Sequence, residues 1–566
     1  MKVLKWFAVG CLLLTIGLGV EAAPPLRSIT MPQADGKLIT IKTMSPAQCA
    51  AYDAQCAAMN AQAIGSGTYL QHSGSPRILT ILAAFQDVDF TVNTPVQAFE
   101  QYLSGDRQVN LGNMNQLNVA SVRQYYEVCS HGQFSPQFDV VGPVTLPQKM
   151  AYYGGSNASG SDDRFYDVCN DALTQAKPLV SDWSIYDNDQ DGRIELVCII
   201  FAGYGQNQGG ADSTIWAKAA VQNIKVDDKL RVSRFNCCSE LFAPAKGDTY
   251  DYSQYINGTG VFIHEMSHCM GLPDLYATQS RAYVNNQGME TWSVMDYGLY
   301  NYNGFAPCPF TAWEQEVMGW TEIEEVEGGR LMVDGEGLMA EGGRLTVEGG
   351  GWKVEGLLPL IEGGKAYKIV NADNDRDYIV MENVQKTGLN RYASGHGLLV
   401  YHVNYPSNSV NMTDAPNNNP GRPSVAVVPA GGLLISSYLR GDGKEYSRQE
   451  WAASLAACPF PGTKNVSSLT PQMELPNYCF YDGSTAKSTG YMLSDITEDT
   501  GAGTVSFSVA TDETVGVGTL NAEHGTLNDG TAYDLQGRRI GSPFHVQQSL
   551  KPGLYIVNGR KIAILR

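Results

Sequence analysis

The sequence predicts an α+β fold in three parts: a mixed first half, a β-sandwich-like second half and a small C-terminal β tail. Three observations carry this reading. Two short, continuously apolar runs at 78–85 and 196–201 have the character of strands buried on both faces, with helical stretches at 119–128 and 260–270 in the same region. From 366 to about 510 the chain breaks into many short β-patterned runs, such as 397–403 and 504–509. Residues 532–566 read as a small basic β unit.

The parts follow in order. Lys2 and Lys5 precede an apolar run at 6–20, and Val20-Glu21-Ala22 suits a signal-peptidase site, so 1–22 is expected to be a removable signal peptide. That run is too short for a membrane anchor, so the mature form is expected to be exported, secreted or at the cell surface, with no membrane span. Residues 23–75 read as a pro-segment or N-terminal arm, with one short strand at 38–41. Residues 76–320 form the first domain. Residues 321–365 form a Gly/Glu-rich insertion containing a repeat (327–337 and 341–351), two copies being too few for a solenoid. A β-rich domain at 366–510, a linker at 511–528 and a tail at 529–566 complete the chain.

Composition narrows the function. A net charge of −19 argues against a nucleic-acid partner, which wants a basic face. With 43% hydrophobic and 17% charged residues, the chain is not a disordered acidic polymer. Of 12 cysteines, Cys11 lies in the signal peptide. The remainder is odd in number, which leaves a thiol to explain in an oxidising compartment. Cys49 with Cys56, and Cys458 with Cys479, are plausible local bridges. Cys237 and Cys238 are adjacent and are expected to bond elsewhere than to each other.

The sharpest signal is His264-Glu265-Met266-Ser267-His268, followed by Gly271 and Asp274. On a helix, positions i and i+4 share a face, so His264 and His268 can hold one Zn²⁺ with Glu265 beside the open position. Gly271 suits the helix end, and the turn after it can return Asp274 as a third ligand. Met295, in Trp292-Ser293-Val294-Met295-Asp296-Tyr297, resembles the Met-turn of metzincin-type zinc proteases, so the first domain is expected to be a metzincin-like zinc protease domain. Tyr297 is either an oxyanion partner or an ordinary surface tyrosine. Cys269 is expected to be packed or disulfide-bonded, and His396 and His402 to be structural. The activity expected is that of a zinc endopeptidase acting on extracellular proteins or peptides, with Glu265 as general base. The competing readings are a zinc hydrolase acting on glycan or peptidoglycan, and a non-catalytic secreted surface-binding protein.

A second metal is expected at Asp187, Asp189, Asp191 and Glu195. Alternate carboxylates with Gly192 in sixth place resemble the first half of an EF-hand loop, and Ca²⁺ is the ion expected. The twelfth position is Cys198 rather than Glu, so Glu195 would have to complete the shell.

These residues also carry a family likeness. The chain resembles the immune inhibitor A family of secreted zinc metallopeptidases: HEMSHCMGLPDLY looks like its active-site helix and turn. ILAAFQDVDF, SVRQYYEVCSHGQF, FAGYGQNQGG and FTAWEQEVMGW agree in order, and the likeness runs more loosely to about 510. The resemblance implies zinc ligands at His264, His268 and Asp274 and a catalytic base at Glu265. The cysteine-bearing pro-segment departs from the pattern, and Cys49 or Cys56 is a candidate zinc ligand in a latent zymogen. The last residues, YDLQGRRIG and LKPGLYIVNGRKIAIL, look like sorting domains of type IX secretion cargo, which implies the secretion machinery as a partner.

Overall fold

The computed structural model describes residues 69–105, 117–155, 162, 164–244, 255–279, 281–282, 286–326, 351–435 and 446–512, with isolated strands in the flanking and intervening stretches. A six-stranded sheet organises the first domain. Its strands are β1 (Arg77–Ala84), β2 (Gln137–Thr145), β3 (Arg193–Tyr204), β4 (Lys218–Lys225) and β5 (Arg231–Leu241), with the short strand Val20–Ala22 at one edge. The order is Val20–Ala22, β4, β5, β3, β1, β2. β1, β2, β3 and β5 run parallel, whereas β4 is antiparallel to β5.

The apolar runs are continuous because both faces are covered. Along β3, Leu196, Cys198 and Ile200 enter one core, while Ile194, Val197, Ile199 and Phe201 enter the other. The first core is roofed by α1 (Pro95–Ser104), α2 (Val122–Cys129) and α4 (Thr259–Cys269), the second by α3 (Phe165–Ala176). α2 starts three residues later than the periodicity predicts. Ser121 is its N-cap, accepting from the Gln124 N–H in a capping box.

Two five-stranded sheets build the second half. One joins β7 (Ala366–Asn371), β8 (Asn374–Val384), β9 (Gly397–Asn404) and β10 (Val425–Val427) to Glu324–Glu325. The other joins β6 (Gly351–Leu357), β11 (Tyr491–Asp499) and β12 (Thr504–Thr511) to Met339–Ala340 and Gly343–Glu348. The Gly/Glu-rich stretch therefore supplies strands to both sheets. Ile379 and Met381 of β8 and Leu398 and Val400 of β9 pack in one core with Trp352, Val354, Val505 and Phe507 of the second sheet. Their neighbours Tyr378, Val380, Leu399 and Tyr401 turn the other way, into the core that holds α4. α5 (Ala312–Val317) docks on that face, its Ala312 N–H donating to Glu382 and its Trp313 N–H to the Tyr401 hydroxyl.

The nine described cysteines are all unbonded, eight of them buried. The expected Cys458–Cys479 bridge is absent, because the buried Cys458 thiol instead donates to the Ser454 carbonyl at 3.3 Å. Cys237 and Cys238 form no disulfide: adjacent on β5, they point to opposite faces and fill different cores, the Cys238 thiol donating to Asn236 Oδ1 at 3.1 Å. Burial pushes both thiols up, so they behave as small apolar side chains. Cys49 and Cys56 lie outside the described residues.

In the tail, Gly553–Val557 and Arg560–Ile564 form an antiparallel pair within a five-stranded sheet, with Asn558-Gly559 between them. No helix among the described residues is long and apolar enough to cross a membrane.

One glycine ties the fold to the motif helix. A Cβ on Gly260 would stand 1.9 Å from the Leu299 carbonyl oxygen. Gly260→Ala is expected to lower stability by about 3 kcal/mol through this overpacking, measured by denaturant unfolding. A change below about 0.5 kcal/mol would show that the 297–304 segment moves aside freely.

Candidate metal centre

The motif helix α4 is buried over its whole length. Its first N–H groups need partners, and Asn118 supplies one by accepting from Thr259 N at 2.8 Å. Tyr126 donates to the Ile263 carbonyl and Asn236 to the Phe262 carbonyl. The helix is thus held by side chains from α2, β5 and the loop before α2.

It ends in a Schellman turn. Gly271 N donates to His268 O and Leu272 N to Ser267 O, with Gly271 at φ 108°. The turn does two things at once. It swings the Leu272 carbonyl onto His268 Nδ1 at 2.7 Å, and it brings Asp274 back beside the helix. His264 Nδ1 meets the Val294 carbonyl at 2.8 Å. A carbonyl can only accept, so each Nδ1 carries the proton and each Nε2 presents a lone pair. Burial also holds His264 below the usual imidazole range, which keeps it neutral.

The lone pairs converge. His264 Nε2 lies 3.1 Å from His268 Nε2, and Asp274 Oδ1 lies 3.2 and 3.3 Å from the two nitrogens. With both rings neutral no proton stands between these atoms, and neither oxygen of the buried Asp274 then accepts a hydrogen bond. A buried carboxylate without donors is costly, and three lone pairs facing one point suit a bound cation. A tetrahedral zinc with bonds of about 2.0–2.2 Å puts its ligand atoms about 3.3–3.5 Å apart, so the donor set fits.

The 293–297 turn braces this group. The Val294 carbonyl orients His264, and the Met295 carbonyl accepts from Leu275 N at 2.8 Å, one residue beyond Asp274. The Met295 side chain is fully buried in the core that also holds Met266. Ser293 Oγ donates to Glu314 and accepts from Met295 N. Burial pushes Glu314 up to about 7 despite its hydrogen bonds from Ser293 and Thr311.

Glu265 is buried beside His264, and its charge reaches the Cys237 and Cys238 thiols on β5. Tyr297 is also buried, its ring 6.3 Å from that of Tyr276. The structure therefore brings His264, His268 and Asp274 together. Cys269 is packed and forms no disulfide, its thiol donating to the Phe235 carbonyl at 3.7 Å. His402 pairs with Asp377 at 2.6 Å and His396 with Glu498 at 2.7 Å.

The acidic loop gathers three of its four expected ligands. Asp187, Asp189 and Glu195 have carboxylate oxygens within 4.8 Å of one another, and Asp191 is outside that trio. Asp191 instead accepts from Arg193 N at 2.8 Å, while Asp187 accepts from Gly192 N at 2.9 Å. These bonds stabilise a turn in which Gly192 takes φ 89°. Asn188 donates to Glu195 at 3.0 Å.

Sequence reasoning missed the carbonyls of Leu272 and Val294, which no side-chain pattern marks. It also missed the segment at 69–72, assigned to the arm. There Leu70 N donates to the Cys269 carbonyl, and the His72 ring meets the Met270 carbonyl at 2.7 Å.

Residues 72–321 match the family model of the immune inhibitor A peptidase M6 catalytic domain. The chain is 28% identical over 263 residues to immune inhibitor A of Bacillus thuringiensis subsp. alesti, covering 41% of this chain and 37% of that protein. It is 27% identical over 222 residues to the pre-pro-metalloprotease PrtV of Vibrio cholerae serotype O1 (strain M66-2), covering 36% of this chain and 24% of that one. The matched part thus spans well under half the length of either curated relative.

Proposed function

We propose that this chain is a zinc endopeptidase that hydrolyses peptide bonds of extracellular proteins. The observation that carries the reading is the convergence of His264 Nε2, His268 Nε2 and Asp274 Oδ1, with both imidazoles locked in the ligating tautomer by backbone carbonyls. The similarity of 72–321 to a metallopeptidase catalytic domain supports it.

His264, His268 and Asp274 hold the ion. Bound zinc would supply a water of lowered pKa, near about 7, and a Lewis acid for the scissile carbonyl. Glu265 takes a proton from the attacking water on its carboxylate and returns it to the leaving amine. Its neighbours His264 and Met266 are fixed by the helix, so the carboxylate is held in place before substrate arrives. Tyr297 is proposed as a hydrogen-bond donor to the developing oxyanion. The N-terminal 22 residues are proposed to act as an export signal and the terminal β unit as a sorting element for secretion.

Metal content measured by mass spectrometry, paired with cleavage of a denatured protein, tests the activity. We expect one zinc per chain, with proteolysis lost on chelation and restored by zinc. Absence of zinc, with no cleavage after zinc is added, would favour a surface-binding protein. Cleavage of glycans but not proteins would favour the other hydrolase class.

A further inference from the structure

The third ligand sits on a loop, and part of what fixes that loop lies outside the segment similar to the peptidase domain. Asp274 is followed by Leu275, whose two backbone groups are tied in different directions. Its N–H donates to the Met295 carbonyl, within the first domain. Its carbonyl accepts from Asn417 Nδ2 at 2.6 Å, and Asn417 belongs to the connection between β9 and β10.

Asn417 is buried and uses its whole hydrogen-bonding capacity. Nδ2 also donates to the Val425 carbonyl at 2.8 Å, while Oδ1 accepts from Ser424 N at 2.7 Å and Val425 N at 3.0 Å. An amide has two donors and two acceptor lone pairs, and here all four are used. The side chain is consequently fixed to the β sheet at three backbone points before it reaches Leu275. Space is tight around the contact: a Cβ on Gly288 would stand 2.0 Å from the Leu275 oxygen and 2.7 Å from Asn417 Nδ2.

A second asparagine holds the same loop further on. Asn418 Oδ1 accepts from Thr278 N and Gln279 N, and its Nδ2 donates to Thr278 Oγ1. Asn418 docks the loop at Thr278 and Gln279, further from the ligand than Leu275, which makes it the natural comparison.

We infer that Asn417 is a positioning residue for the metal centre: the β-rich half braces the zinc site by pinning the Leu275–Tyr276 peptide, one link beyond the ligand. The inference rests on the zinc reading above. Asp274 has only a backbone to aim its carboxylate, since its oxygens receive no hydrogen bond. Leu275, held through its N–H by Met295 and through its carbonyl by Asn417, therefore sets the course of the backbone that aims Oδ1 at the two histidines.

The test is zinc affinity of the full-length chain, by competition with a chromophoric chelator, for wild type, Asn417→Asp, Asn417→Ser and Asn418→Ala. Asn417→Asp can still accept from Ser424 and Val425 but faces the Leu275 oxygen with an oxygen. Loss of an outer partner of a metal site costs about 10–100-fold in affinity. We expect a loss of about tenfold for Asn417→Asp and Asn417→Ser, a changed d–d spectrum after cobalt substitution, and a fall in kcat with KM little altered. Asn418→Ala is expected to lower the melting temperature of the metal-free chain yet keep zinc affinity within about twofold. If Asn417→Asp fails to fold, Asn417→Ser carries the comparison. Wild-type zinc affinity in the folded Asn417 variants would overturn the inference, as would an equal zinc loss in Asn418→Ala. A wild-type chain that binds no zinc would instead overturn the reading beneath it.

Discussion

Glu265→Gln is expected to retain one zinc per chain and to lower kcat/KM on a protein substrate by about 10³-fold or more. Glutamine keeps the shape of the side chain and its place in the buried helix, so the ligands on either side are undisturbed. What it lacks is a carboxylate that can take a proton. General-base assistance contributes about 10²–10⁴-fold to rate, and proton return to the leaving amine depends on the same atom. Steady-state kinetics with metal analysis of the same sample decides the matter. Wild-type cleavage by a zinc-loaded Glu265→Gln chain would remove Glu265 from the mechanism. Loss of zinc along with activity would show that the residue holds the site together instead.

Asp274→Ala is expected to weaken zinc binding by at least about 100-fold, more than the usual cost of altering an outer partner. The stability effect should run the opposite way in the metal-free chain. There Asp274 is a buried carboxylate whose oxygens accept no hydrogen bond, facing imidazole lone pairs at 3.2 and 3.3 Å. Removing it relieves that cost. Melting the two chains with chelator present should place Asp274→Ala at or above wild type, whereas with zinc the order reverses. A metal-free Asp274→Ala chain that melts well below wild type would mean that the carboxylate serves the fold rather than the ion.

The sequence made the donor set legible because its geometry is local. His264 and His268 are one helical turn apart, and Gly271 marks the turn that returns Asp274. Both buried strands were readable because a sheet covered on two faces demands unbroken apolar runs. The bracing was not readable. Val294 and Leu272 act through carbonyls that every residue possesses. Asn417 acts across 142 residues of separation, and no spacing rule couples an asparagine in one loop to a carbonyl in another. The Cys458–Cys479 pairing failed for a related reason: proximity in sequence says nothing about a thiol that finds a carbonyl four residues back. Asp191 shows the limit of motif reading, since a carboxylate in ligand register also caps a turn.

The sheet formed by β7 to β10 is a party wall between two cores, with alternate residues of β8 and β9 committed to opposite sides. Neither core can melt without stripping one face of the same strands, so unfolding of either half exposes apolar surface belonging to the other. Such coupling favours a single cooperative transition over stepwise loss. Partial opening, which would leave a nicked but otherwise folded molecule under proteolysis, has no inexpensive route through the wall.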